Sequence, residues 1–272
     1  LFLQKDSNTS YSLWEYTINP LLWDFSTNPS KILSLDTNKI SLSISPNGQQ
    51  ALLTMADTKT PTYYLLNTQQ ANTLQGSNQL PLGNYSKYTI SWSKDSKHIL
   101  LESTESLLSY DLTKNIFTNL VKKEANTTYV WDTDTQGLFY LITEISNKEP
   151  ENNYTYSLTQ KSLTGSNSKT VIDKIYFQKT EEYIKQYRES KEILQEFSNS
   201  PESTQTAGKI TDLDVNVNGN GMYISTSFAS YWYFMDSSKF MTISLYPTQL
   251  ISYSPDIYKL ETKDTTGYKI FT

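Results

Sequence analysis

One histidine, no cysteine and a scatter of carboxylates bound the chemistry open to this 272-residue chain. A Ser-His-Asp triad needs a histidine to shuttle the proton, and His98 is the one available. It stands just after a polar turn in a pattern that recurs along the chain, so it reads as a surface or strand-edge residue. The sequence holds no Gly-x-Ser-x-Gly elbow, which sets aside a hydrolase domain of that type within it. Without cysteine there are no disulfides, thiolate nucleophiles or thiolate metal sites. A zinc site with one histidine would have to be carboxylate-rich, which is unusual. Gly-rich phosphate-binding loops are absent as well.

Calcium needs oxygen ligands at alternate positions of a loop. Asp214, Asn216 and Asn218, followed by Gly219, match the first half of such a loop, but the twelfth position, where a bidentate Glu is needed, is Ser225. Asp132, Asp134 and Gly137 are a weaker echo. Both stretches coincide with a recurrent turn, and the intervening Val residues suit a strand, so the expectation is structure and not metal. Paired acids for glycoside hydrolysis can meet from distant parts of a chain, yet the sequence nominates no pair. Asn8, Asn84, Asn126 and Asn153 each lead an Asn-x-Ser/Thr sequon, as chance allows in so Asn- and Thr-rich a chain. No catalytic residue, metal ligand or cofactor is therefore expected, and the chain reads as non-enzymatic.

The elements that would position any site are strands. Aromatic side chains make up 13% of the residues, with 21 Tyr. Tyr and Thr suit a pleated, half-buried surface. A net charge of -5 without a dense basic run offers no stripe to neutralise phosphates, so nucleic acid is not an expected partner. No apolar run approaches the ~20 residues of a membrane span. The sequence opens on Leu1 in a strand-like pattern, without Met or signal peptide. The expectation is a segment of a longer protein whose anchor, if any, lies upstream.

Four stretches repeat one pattern of alternating apolar residues, a polar turn and a second apolar run: from Ser43, Ser91, Val130 and Asp214. Aligned on their aromatic and apolar residues, Ile44, Trp92, Trp131 and Val215 share a position. Asn47, Asp95, Asp134 and Asn218 then fall at the turn. Asn-Gly and Asp-Ser tolerate the positive φ of tight hairpins. Further strands are expected at Tyr63–Leu66, Leu107–Leu112, Tyr154–Leu158 and Tyr231–Phe234, and fourth ones at Phe117–Leu120 and Met241–Leu245. Four antiparallel strands every ~40–50 residues is the period of a propeller blade. Blade-like units are placed at about 1–35, 40–80, 88–122, 127–173 and 211–248, with a partial one at 249–272, all in a single domain or part of one. Leu1–Gln4, Ser12–Thr17 and Ile32–Leu35 read as the later strands of a blade, and Leu250–Ser254 as the opening of another. The N-terminal strands, or further chain, would complete the latter. Thr180–Phe197 has helical periodicity and is read as the core of an insertion at about 178–208, followed by a polar loop at Ser198–Gly208.

Ser45-Pro46-Asn47-Gly48 and Trp92-Ser93-Lys94-Asp95-Ser96-Lys97, with a looser version at Trp131-Asp132-Thr133-Asp134, resemble the opening hairpins of TolB-like, WD-repeat-like β-propellers. The resemblance implies an all-β propeller of four-stranded antiparallel blades, to which the periodicity of Thr180–Phe197 adds one helical insertion between blades. It also implies an interaction platform of a bacterial envelope or surface protein, extracytoplasmic and membrane-anchored, sometimes beside PEGA-type modules. The same blades occur as gating domains of prolyl-oligopeptidase-like serine peptidases, the alternative reading. In such propellers, loops between blades share a face with loops between second and third strands. That places Pro81–Lys87, the 146–153 loop and the 173–208 insertion together. Tyr85, Tyr88, Tyr154, Tyr183 and Tyr187 lie in or near them and are the candidate binding residues for a protein or glycan, since Tyr combines contact area with a polar tip.

Overall fold

The computed structural model describes residues 1–15, 29–37, 39–56, 60–68, 79–145, 155–175, 209–227, 229–244, 249–253, 260–264 and 267–271. Among these residues the regular structure is antiparallel β, with one 3-10 turn at Gly83–Tyr85. The helix expected over Thr180–Phe197 and the insertion around it lie outside the described residues.

The strands fall into six sheets in chain order. β1 (Phe2–Lys5), β2 (Tyr11–Glu15) and β3 (Ser30–Leu35) form a three-stranded sheet. β4 (Ile40–Ile44), β5 (Gln50–Met55), β6 (Thr62–Asn67) and β7 (Gln79–Leu80) form the next. β8 (Thr89–Trp92), β9 (His98–Glu102), β10 (Ser106–Asp111) and β11 (Ile116–Lys122) make the third. β12 (Tyr129–Thr133), β13 (Leu138–Glu144), β14 (Tyr156–Ser162) and β15 (Lys169–Ile175) make the fourth. The fifth is β16 (Ile210–Val215), β17 (Gly221–Thr226), β18 (Ser230–Phe234) and β19 (Lys239–Ser244). The last is three-stranded: β20 (Gln249–Tyr253), β21 (Leu260–Asp264) and β22 (Gly267–Phe271). Each sheet is a meander in which sequence neighbours pair. The two terminal segments each form a three-stranded sheet of their own among the described residues.

The chain divides into two compact units, 1–92 with 96–103, and 93–95 with 104–272. In the first, Leu13, Leu35, Ala51, Leu53 and Leu66 make the core. In the second, Tyr140, Ile142, Tyr156 and Leu158 of the fourth sheet meet Ile210, Leu213, Val215, Met222, Ile224 and Tyr233 of the fifth. Burial of each such side chain contributes ~1.5–3 kcal/mol. The Tyr156 hydroxyl accepts the Ile210 N–H at 3.0 Å, joining fourth and fifth sheets without an orphaned backbone donor.

The first hairpin turns share one construction. Gly48 N–H donates to Ser45 O and Ser45 N–H to Gln50 O; Gly219 N–H donates to Asn216 O and Asn216 N–H to Gly221 O; Asp134 N–H donates to Leu138 O. The residue three positions on has positive φ each time: Gly48, Gly137 and Gly219, and Ser96 in the third sheet. Ser45, Ser93, Asp134 and Asn216 are therefore equivalent, and so are Ile44, Trp92, Thr133 and Val215. This corrects the sequence alignment of the fourth sheet by two residues: Thr133, not Trp131, stands where Trp92 does. The reason is physical. Side chains alternate with period two, so a slip of two keeps every residue on its face and leaves the apolar pattern intact.

Candidate functional site

Of the five candidate tyrosines, Tyr154, Tyr183 and Tyr187 lie outside the described residues, as do the 146–153 loop and 176–208. Tyr85 and Tyr88 are described, on the loop from β7 to β8. Leu82, fully buried, anchors that loop. Gly83 lies so close to the preceding loop that a Cβ there would stand 3.1 Å from Thr60 Cγ2 and 3.3 Å from Pro61 O. Tyr85 N–H donates to Leu82 O and Tyr88 N–H to Tyr85 O, both at 2.9 Å. This winding brings the two half-buried rings edge to face, centroids 5.3 Å apart and planes at 78°. Such pairs are worth ~0.5–1.5 kcal/mol beyond their burial. Asn84, Ser86 and Lys87 are exposed beside them.

The second unit holds a cluster that sequence reasoning missed. Lys94 Nζ donates to Asp132, to Asp214 Oδ1 at 2.7 Å and to the Val215 carbonyl at 2.6 Å. Val215 N–H in turn donates to Asp132 Oδ2 at 2.6 Å, and Lys94 N–H to Thr133 Oγ1 at 3.0 Å. The side chains of Lys94, Asp132 and Asp214 are 26%, 18% and 37% exposed. Burial works against the Lys94 charge, but Asp132 and Asp214 together outweigh it and hold its pKa above the ordinary lysine value. Burial pushes the Asp132 carboxyl up to about 6; Lys94 pulls it down while the Asp214 charge adds to the rise. Asp212 is also raised, by burial first and then by Asp214. The signal that could have found this cluster is the corrected register, which makes Asp132 and Asp214 the same position, two residues before the turn.

The echoes of a calcium loop serve those turns. Asn216 Oδ1 accepts Asn220 N–H at 3.0 Å and Gly221 N–H at 3.3 Å, while Asp214 goes to Lys94. Asp134, fully buried, accepts Gln136 N–H and Leu138 N–H at 2.9 Å and the Tyr140 hydroxyl at 3.1 Å. Gln160 Nε2 donates to that hydroxyl at 2.9 Å. Among the described residues, no group of three or more His, Asp or Glu is placed to hold a metal ion. His98 opens β9, as a strand-edge residue should, but it is buried at 7% exposure and not at the surface. The apolar side chains of the hairpin's second strand carry it inward. Among the described residues, no helix is long and apolar enough to cross a membrane.

No protein-family profile and no curated protein sequence matches the chain. Solved structures do match. Dipeptidyl peptidase 4 of Porphyromonas gingivalis superimposes with a TM-score of 0.52 at 9% identity, over 97% of this chain and 43% of that one. TolB from Acinetobacter baumannii gives 0.43 at 12% identity, over 96% and 59%. The extracellular domain of a B. thetaiotaomicron one-component system, BT4673, gives 0.46 at 10% identity, over 100% and 32%. The chain thus spans less than two thirds of each of these proteins. Six successive meander sheets, four of them four-stranded, together with the peptidase superposition define the fold: an all-β β-propeller of four-stranded antiparallel blades.

Proposed function

We propose that this propeller is a non-enzymatic recognition or scaffold domain of a bacterial extracytoplasmic or surface protein, and that it takes a protein or glycan through one face. The observation that carries the reading is the edge-to-face pair of Tyr85 and Tyr88 on a loop joining two blades, held by Leu82 and Gly83. A preorganised aromatic pair loses little rotamer entropy on binding and offers both ring faces and hydroxyls. The carboxylates of the opening hairpins are engaged in fastening: Asp132 and Asp214 hold Lys94, and Asp134 caps its own turn. The envelope setting, with an upstream anchor and PEGA-type modules, rests on the resemblance of the Ser45-Pro46-Asn47-Gly48 and Trp92–Lys97 hairpins.

The test is a glycan array and a cross-linked bacterial envelope extract, each probed with the wild-type chain and with Tyr85→Ala/Tyr88→Ala. Loss of at least tenfold in signal is expected in one of them, since aromatic anchors dominate such interfaces. Deleting Lys179–Ser200 should leave a folded β domain with weaker binding. Binding that survives both changes would remove this face from the reading.

A second reading, the gating propeller of a serine peptidase, is favoured by one observation. The chain spans 43% of the Porphyromonas peptidase, which leaves room there for a further domain. Sequencing the gene on both sides separates the two. A downstream Gly-x-Ser-x-Gly with later Asp and His would establish the peptidase; an upstream apolar anchor with small β modules would establish the scaffold.

A further inference from the structure

Lys94, Asp132 and Asp214 come from the opening hairpins of three successive sheets, 38 and 120 residues apart in the chain. Segment 93–95 belongs to the second unit, with all its partners here. Three oxygens converge on one nitrogen: a carboxylate oxygen of Asp132, Oδ1 of Asp214 and the carbonyl of Val215. An ammonium has three protons to give and no acceptor capacity, so this set satisfies it fully. Asp132 also accepts the Val215 N–H, so the carboxylate nearest the nitrogen is tied to the backbone of the fifth sheet's first strand. The arrangement has the logic of a cation site whose cation is covalently tethered.

We propose that Lys94 is the resident cation of an oxygen cage that fastens the Ser93–Asp95 turn to the first strands of the fourth and fifth sheets. The charged groups that face it are Asp132 and Asp214, and Asp212 feels Asp214 and Lys94 at longer range. Neighbouring turns add neutral bonds that pack the same ends together. Thr135 N–H donates to Val217 O at 3.3 Å, and Gln136 Nε2 to Asn218 O at 3.3 Å. These hold the fourth sheet to the fifth and do not reach the Ser93–Asp95 turn. For that, the cage has Lys94 and its own backbone bond to Thr133. Loss of the cation therefore leaves two half-buried carboxylates facing each other with no other lysine or arginine paired to either among the described residues, the costly outcome for a broken ion pair.

The experiment is thermal unfolding of the whole chain as Lys94→Ala, with and without n-propylammonium, the fragment that the substitution deletes. The variant is expected to melt about 5–10 °C below wild type, given the usual shift per unit of stability at this size. Millimolar n-propylammonium should restore a large part of that in the variant alone, and n-propanol, its uncharged analogue, should not. A variant that melts with wild type, or a recovery that n-propanol matches, would overturn the cage. If Lys94→Ala does not fold, Lys94→Met with Asp132→Asn and Asp214→Asn takes its place. That neutral triple should fold, because no charge is left stranded. Its failure would mean that a stranded charge is not what Lys94 prevents, and the proposal falls.

Discussion

The opening hairpin of the second sheet and those of the fourth and fifth share a backbone and differ in chemistry. In the second, Ser45 is the turn residue: its hydroxyl donates to Gln50 O at 2.9 Å and Asn47 Oδ1 at 2.8 Å and accepts Gln50 N–H at 3.0 Å. Two residues earlier stands Ser43, whose carbonyl accepts Trp92 Nε1–H at 3.2 Å. In the fourth and fifth, Asp134 and Asn216 take the place of Ser45, and Asp132 and Asp214 the place of Ser43. One join is made of neutral hydrogen bonds at an exposed turn, the other of a caged charge and a buried carboxylate. The difference teaches that a repeat fixes where bonds are made and leaves open what they are made of. Charge at those positions brings larger effects when disturbed, and a pH dependence.

The largest expected break is at the turn residue itself. Asp134→Ala removes an acceptor for two backbone N–H groups and a tyrosine hydroxyl in a fully buried place, and should cost about 4 kcal/mol. Ser45→Ala, at the equivalent position, should cost about 1 kcal/mol. Urea unfolding of both measures the ratio; equal costs would erase the distinction between the two joins.

The turn glycines extend the same contrast. Gly219 and Gly48 have φ of +67° and +72°, so alanine is strained at either. At Gly48 the space for a Cβ is open, whereas at Gly219 it would lie 2.6 Å from Asp134 Oδ2 and 2.8 Å from the Tyr140 hydroxyl. Gly219→Ala should cost about 3 kcal/mol and Gly48→Ala about 1, the backbone strain alone. Thermal melts of the pair decide it, and a Gly48→Ala as damaging as Gly219→Ala would argue against the close approach.

How much of this was legible depends on the period. The alternation and the polar turns placed β6, β10 and β18 to within a residue at each end, while the repeats read from Ser43, Ser91 and Asp214 began two to four residues inside β4, β8 and β16. A two-residue slip is invisible to alternation, and matching Trp131 to Trp92 took it. The glycine that must carry positive φ, Gly137, was the better anchor, since backbone conformation is not shared between positions two apart. That slip also hid the equivalence of Asp132 and Asp214, and with it the Lys94 cage. The bond from Lys94 to Asp214 spans 120 residues, and no local pattern encodes such a pairing. The Tyr85–Tyr88 loop was expected because it joins two successive sheets, while the edge-to-face meeting of its two rings had no signal in the sequence.

The charged join should also titrate. Burial raises Asp132 from the ordinary carboxylate value to about 6 in the folded chain. Folded protein then holds a proton between about pH 4 and 6 that unfolded chain has released. This contribution is fully present below the unfolded value and is lost as pH rises through about 6, so stability falls over that window and is level above it. With part of the side chain in solvent, the loss is about 2 kcal/mol. Asp132→Asn removes this dependence, so wild type measured against it should lose relative stability from pH 4 to 6. A gain instead would mean that Lys94 outweighs burial at Asp132. The Ser43 join should show no such difference.

The smallest effect belongs to the neutral join. Trp92→Phe keeps an aromatic ring on a half-buried position and deletes the Nε1–H that Ser43 O accepts at 3.2 Å. The carbonyl has a second lone pair and a nearby exposed turn, so water replaces the donor, and the cost should be about 0.5–1 kcal/mol with no dependence on pH from 4 to 8. Chemical denaturation at three pH values across that range measures it. A larger cost, or one that changes with pH, would place Trp92 in a charged environment and dissolve the contrast between the two joins. A small constant cost makes Trp92 a spacer that the repeat keeps for its shape. It would leave Lys94, two residues on, as the residue through which charge enters the join.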